Sequence, residues 1–101
     1  MKRTQRAKRK NLVGARVRQA RYRLEPRASQ DDLSGRLARL GVTIDRSAIS
    51  KIESFERYVM DYEAAALARA LRVTVAWLYG EEETLRSSAS RKKPVARRAA
   101  K

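Results

Sequence analysis

The sequence contains no cysteine and no histidine. This excludes disulfide bonds, thiolate or imidazole ligation of a metal, cysteine nucleophiles and histidine acid-base catalysis. No apolar run is long enough to span a bilayer, and the basic N terminus is not followed by the hydrophobic region of a signal peptide. Acidic residues are present, but none stands with a suitable base or nucleophile. We therefore expect a cytoplasmic protein that is not an enzyme and has no metal, no cofactor and no membrane association.

The charge of the chain is strongly positive and lies mainly at its two ends. There are 25 Lys and Arg residues against 11 Asp and Glu, a net charge of +14. Residues 1–10 and 91–101 each carry six basic groups and no acid, whereas residues 11–90 carry 13 basic and 11 acidic groups. Such a balance favours polyanionic partners, nucleic acid first and an anionic membrane surface second. We expect a basic arm over 1–10, one domain over 11–80 and a basic tail over 81–101, with both tails disordered.

Residues 45–53 are the stretch around which the domain is organised. Asp45 is a good N-cap, and Ala48, Ile49 and Ile52 recur at helical spacing on one side. The other side carries side chains with hydrogen-bond donors and little bulk, which are Arg46, Ser47, Ser50 and Lys51. This side could lie close against DNA. An ordinary amphipathic surface helix has the same pattern, so the neighbouring elements must decide between the two interpretations.

Four further helices are predicted around this stretch, at residues 11–24, 29–40, 61–71 and 75–79. Ser29 and Asp32 have the spacing of a capping box, and Thr74 can cap the last helix. Gly41 can take the left-handed conformation that ends the second helix. The apolar spacing places Leu12 and Leu40 with the side chains that face the core. Two arginines of the first helix are assigned to its solvated face, Arg18 and Arg23.

Several motifs stand in register along residues 12–80. They are Ser29-Gln30-x-x-Leu33, Gly41-Val42, Ile49-Ser50-Lys51-Ile52-Glu53 and Ala68-Arg69-Ala70-Leu71-x-Val73. Together they resemble the helix-turn-helix domain of the Cro/cI repressor (XRE) family. The resemblance implies an all-α fold, a compact five-helix lambda-repressor-like domain that binds double-stranded operator DNA, usually as a homodimer on a near-palindromic site. The chain differs in a longer connection between the second and third helices, and in having Phe55 and Arg72 where the family usually has glycine.

The resemblance also implies roles for individual residues. Base readout in the major groove falls to the third helix, namely Arg46, Ser47, Ser50, Lys51 and Asp45. Phosphate contacts fall to Gln30, Arg16, Arg21, Arg57 and Tyr58. Arg46 is the first candidate for readout, because a guanidinium can pair with guanine O6 and N7, whereas the carboxylate of Asp45 is better placed as a cap. Glu53 is expected to make a structural interaction, and Trp77 to lie either in the core or at a two-fold interface. This assignment requires Arg46 and Lys51 to be exposed on the same side as Gln30.

The expected function is that of a sequence-specific transcriptional regulator, a repressor, from a prokaryote or a mobile element. Two alternatives remain. The first is an antitoxin-type regulator that also binds a protein partner, for which the C-terminal tail is a candidate docking peptide. The second is a protein that binds RNA or DNA without specificity through its tails. The basic arm itself could enter the minor groove or act only by electrostatic attraction.

The charge of the arm gives a first prediction. Deleting residues 1–10 should weaken binding to all DNA sequences together and reduce the slope of log K against log salt. The reason is that each neutralised phosphate contributes about −0.9 to that slope. Titrations at several salt concentrations measure it, and an unchanged slope would show that the arm does not contact phosphate.

Overall fold

The computed structural model describes residues 9–82, and in that range the chain forms five α-helices and no strands. The helices are α1 Gly14–Arg23, α2 Gln30–Arg39, α3 Arg46–Glu53, α4 Asp61–Leu71 and α5 Val75–Leu78. The predicted all-α fold is therefore confirmed for this part. No helix in it is long and apolar enough to cross a membrane. The predicted disorder of the basic tails concerns residues that lie almost wholly outside the described range.

Side-chain caps begin three of the helices. At α2 the Ser29 hydroxyl accepts from the N–H of Asp32 at 3.0 Å, and the Asp32 carboxylate accepts from the N–H of Ser29 at 2.9 Å. Asp45 accepts from the N–H of Ala48 at 2.9 Å, and the Thr74 hydroxyl accepts from the third residue after it at 3.0 Å. Each bond satisfies an N–H that the first turn leaves without a partner. The capping roles predicted from the sequence are confirmed.

Four helices end in the same backbone motif, whose central residues are Gly41, Phe55, Arg72 and Gly80. In each, the N–H of the central residue donates to the carbonyl three residues earlier, and the next N–H donates to the carbonyl five residues before itself. This is the Schellman arrangement, which needs a positive φ at its centre. Phe55 has φ 67° and Arg72 has φ 62°. The two positions that lack the usual glycine therefore keep the left-handed geometry, at a cost of about 1–2 kcal/mol each.

Every helix contributes large apolar side chains to one core. Those with less than 2% exposure include Val17 of α1, Leu33 and Leu37 of α2, Ile49 and Ile52 of α3, Leu67 of α4, and Trp77 and Leu78 of α5. Trp77 thus belongs to the core. The prediction was wrong for two leucines, because Leu12 is 72% exposed and Leu40 is 38% exposed. Leu12 lies before the first residue of α1, and Leu40 is the C-cap of α2, so neither side chain continues the inner stripe of its helix.

The segment before α1 is fixed to the end of α3. The side-chain amide of Asn11 donates to the carbonyl of Ile52 at 3.1 Å, and its oxygen accepts from the N–H of Gly14 at 2.9 Å. The N–H of Lys10 donates to the carbonyl of Phe55 at 3.0 Å. A side chain at Gly14 would collide with the carbonyl oxygen of Ile52. The close approach of α1 to the end of α3 therefore requires glycine at this position.

This contact predicts the effect of a single methyl group. Gly14→Ala should lower the free energy of unfolding by about 1–3 kcal/mol, because the new Cβ meets backbone that can move only if the helix moves. Gly35→Ala is the matched control, since nothing lies within 4 Å of a Cβ at Gly35. It should stabilise α2 by about 1 kcal/mol, the difference in helix propensity. Urea denaturation measures the free energy of unfolding of both variants. Equal changes in the two would contradict the close approach of α1 to α3 at Gly14.

Candidate nucleic-acid interface

The two sides of α3 have opposite environments. Ile49 and Ile52 are fully buried, which fixes the rotation of the helix against the core. The side chains on the other side are all exposed, and they are Arg46, Ser47, Ser50 and Lys51. At its N terminus, one carboxylate oxygen of Asp45 is engaged in the cap. The helix therefore presents short or flexible donors outward, with no large apolar side chain among them.

These residues line a groove between α3, the start of α2 and one side of α1. It consists of two adjoining depressions of about 640 and 590 Å³, to both of which Gln30, Arg46, Ser50 and Ser54 contribute. We call this surface the α3 groove. Its other lining residues are Arg18, Arg21, Tyr22, Ser29, Asp31, Asp45, Ser47, Lys51, Glu53 and Glu56. All five residues expected to read bases lie here together with Gln30, although their contact with DNA stays a prediction.

A buried ion pair forms the floor of the groove. Nε and Nη2 of Arg21 each donate to a carboxylate oxygen of Glu53 at 2.8 Å, and both side chains are 7% exposed. The third guanidinium nitrogen, Nη1, donates to the carbonyl of Ala28 at 3.0 Å. Hydrogen bonding to Glu53 raises the pKa of Arg21 above its usual value. Because each of its three nitrogens donates inside the protein and its side chain is 7% exposed, the placement of Arg21 argues against the phosphate contact expected of it.

Gln30 extends this network to the surface. Its side-chain Nε2 donates to Oε1 of Glu53 at 3.1 Å, so the first residue of α2 is tied to the last residue of α3. The side chain remains partly exposed in the groove. Since an amide nitrogen carries two N–H groups, one donor is still available to a ligand. Glu53 makes the structural interaction expected of it.

Arg16 lies elsewhere, at the junction of α1 and α5. Its guanidinium stacks 4.5 Å from the ring of Trp77 and donates to the carbonyl of Trp77 at 3.1 Å. It also donates to the carbonyl of Glu82 at 3.3 Å. Arg16 does not line the α3 groove. Its contacts hold the last helix against α1, and this placement argues against the phosphate contact expected of Arg16.

Arg57 is likewise engaged within the protein. Its two terminal nitrogens donate to the two carboxylate oxygens of Glu63 at 3.0 and 3.1 Å, and Glu63 also accepts from the N–H of Met60. The pair ties the loop after α3 to the first turn of α4, so its geometry argues against the phosphate contact expected of Arg57. Tyr58 is 67% exposed but does not line the α3 groove. Its phosphate contact stays a prediction.

Two residues of α1 in the groove were not predicted as site residues. The ring of Tyr22 is 44% exposed and lies 5.8 Å from the guanidinium of Arg18 and 4.5 Å from that of Arg27. Hydrogen bonding to Arg18 lowers the pKa of Tyr22. The spacing of four residues between Arg18 and Tyr22 indicated a shared face of α1. Only the packing of α1 beside α2 and α3 shows that this face borders the groove.

The groove as a whole carries no net charge. Its cations are Arg18, Arg21, Arg46 and Lys51, and its acids are Asp31, Asp45, Glu53 and Glu56. In residues 9–82 no group of acids is placed to hold a metal ion. The strong positive charge of the chain thus comes from outside the groove, chiefly from the terminal segments.

No family model, no curated protein and no solved structure matches the chain. A function must therefore be argued from the geometry of the groove and from the sequence motifs.

The pair between Arg57 and Glu63 gives a prediction about pH. Hydrogen bonding to Arg57 lowers the pKa of Glu63 below its ordinary value of 4.5. The pair therefore stabilises the fold fully above that pH, and its contribution is lost as the pH falls through the lowered pKa. Glu63→Gln should cost about 1–3 kcal/mol at pH 7 and progressively less below pH 4. Urea denaturation of both proteins between pH 7 and 3 measures the difference between their free energies of unfolding. A difference that does not become smaller as the pH falls would contradict a stabilising pair of Arg57 and Glu63.

Proposed function

We propose that the protein is a sequence-specific DNA-binding protein of the helix-turn-helix type that regulates transcription as a repressor. One observation carries the proposal. Two fully buried isoleucines hold α3 so that Arg46, Ser47, Ser50 and Lys51 are exposed, on the same side as Gln30 at the start of α2. This is the arrangement by which helix-turn-helix proteins place a recognition helix in the major groove.

In this proposal the N-terminal half of α3 approaches the base edges. The major groove of B-DNA, about 12 Å wide, admits an α-helix, and the small side chains of Ser47 and Ser50 allow a close approach. Arg46 pairs bidentately with O6 and N7 of a guanine. Lys51 lies further along the helix and reaches a guanine or a phosphate.

The start of α2 orients the domain on the sugar-phosphate backbone. Gln30 lies at this end of the helix, and its available side-chain N–H is the donor to a phosphate. Arg18 and Tyr22 border the same groove and supply a second backbone contact. Such contacts fix the orientation of the protein without reading the sequence.

The neutral groove and the basic tails have separate tasks in this proposal. The tails, through the charges of their sequence, attract the polyanion and make binding depend strongly on salt. The groove selects among sequences. The competing function, non-specific coating through the tails, assigns no role to the exposed donors of α3.

Selection of preferred sites from random DNA tests the function. We expect one enriched sequence with two related halves, about 10 base pairs apart from centre to centre or a multiple of that, as a homodimer requires. An enriched single half-site would contradict the dimer but not the DNA-binding function. The absence of any enriched sequence would refute the proposal and favour non-specific binding.

Arg46 gives the corresponding prediction for a single residue. Arg46→Ala should weaken binding to the selected site by about 1–3 kcal/mol and relax the preference at one base pair. Arg69→Ala is the matched control, because Arg69 is exposed on α4 and does not line the groove. This change should lower the affinity for the selected site and for random DNA slightly and by the same factor. Equal losses on both kinds of DNA for Arg46→Ala would argue against base readout by this residue.

A further inference from the structure

An acidic side chain stands beside the main candidate for base readout. Oδ1 of Asp31, in the first turn of α2, lies 3.8 Å from Nε of Arg46, in the first turn of α3. The side chains are 75% and 66% exposed respectively. In the described part of the chain, Asp31 is the one acid within ion-pair distance of Arg46.

The exposure of the pair limits its contribution to stability. An ion pair between two solvent-exposed side chains at this distance contributes little to folding, because water screens it and both side chains lose freedom. Asp31 also complements the dipole of α2, but Asp32 already does so in the same turn. Stability therefore gives no specific reason for a carboxylate at this point of the groove.

The geometry of the contact between Asp31 and Arg46 provides a reason for a carboxylate at this point. Asp31 approaches Nε, and the two terminal nitrogens of Arg46 remain available for the bidentate pairing with a guanine edge. A phosphate that approaches Arg46 must also approach the carboxylate of Asp31, and the two anions repel each other. A base edge carries no net charge and meets no such repulsion.

We propose that Asp31 is a specificity-determining residue: its charge lowers the affinity of the Arg46 guanidinium for phosphate relative to a guanine edge. This inference rests on the proposed function. It explains why the groove carries acids although its ligand is a polyanion. Asp45 and Glu56 line the neighbouring depression and add to the same repulsion. The consequence is weaker binding to random DNA and a larger ratio of specific to random affinity.

The test compares the full chain with Asp31→Asn on the selected site and on random DNA of equal length. Random DNA should bind about fivefold more tightly to the variant, because one exposed charge near a phosphate contributes about 1 kcal/mol, while the selected site should change little. The specificity ratio should therefore fall about fivefold. Asp31→Gln, whose amide is placed differently, should give the same result, and a thermal melt of each variant confirms that it folds.

Asp61→Asn is the matched control. Asp61 is an exposed acid in the first turn of α4 and does not line the groove, so this change removes the same charge and the same helix-dipole interaction. It should tighten binding to both DNAs alike and leave the specificity ratio unchanged. In an Arg46→Ala background, Asp31→Asn should no longer alter the ratio, because the guanidinium whose choice between phosphate and guanine Asp31 biases is gone.

The possible failures are distinguishable. If the unmodified chain prefers no sequence, the proposed function is refuted and this inference with it. If the chain is specific and Arg46→Ala relaxes the preference at one base pair, but Asp31→Asn behaves as Asp61→Asn does, only the role of Asp31 is refuted.

Discussion

The bidentate ion pair between Arg21 and Glu53 is the interaction on which the groove depends. It joins the last turn of α1 to the last residue of α3, and Gln30 adds the start of α2 to the same carboxylate. A buried pair of this kind contributes less to stability than its short distances suggest, because both charges lose their hydration. Its geometry is directional, however, and it fixes three helices relative to one another. It also neutralises a carboxylate that would otherwise face the groove as an unpaired charge.

The arginines show where sequence reasoning stops. The helices, their caps and the buried face of α3 follow from local signals such as Asp45, Ser29 and the isoleucine spacing, and these could be predicted within a few residues. The partners of Arg16 and Arg21 lie 61 and 32 residues away in sequence, and no local pattern identifies them. The family resemblance therefore implied phosphate contacts for both, and Arg18 was assigned to the solvated face of α1. The groove residues of α3 were predictable because a single helix places them all.

The left-handed residues at the helix ends could likewise be predicted only in part from the sequence. Gly41 identifies a left-handed residue from its type alone, but Phe55 and Arg72 adopt that conformation against their preference. At Phe55 the surroundings supply a reason, since its ring stacks 4.1 Å from the guanidinium of Arg9 and its carbonyl accepts from Lys10. The strained residue is thus held by the segment that precedes α1. At Arg72, which is exposed, the backbone hydrogen bonds of the motif alone hold the conformation.

The missing side chain at Gly14 has a mechanical consequence. Gly14 touches the carbonyl of Ile52 near the C-terminal end of α3, and Arg46 is the first residue of that helix, six residues or about 9 Å away. The helix between these two points is a short rigid rod. A displacement of about 1 Å at the glycine, with the other end held, would tilt the helix axis by about 6°. The distance between the backbones of Gly14 and Ile52 therefore affects the direction in which Arg46 points out of the domain.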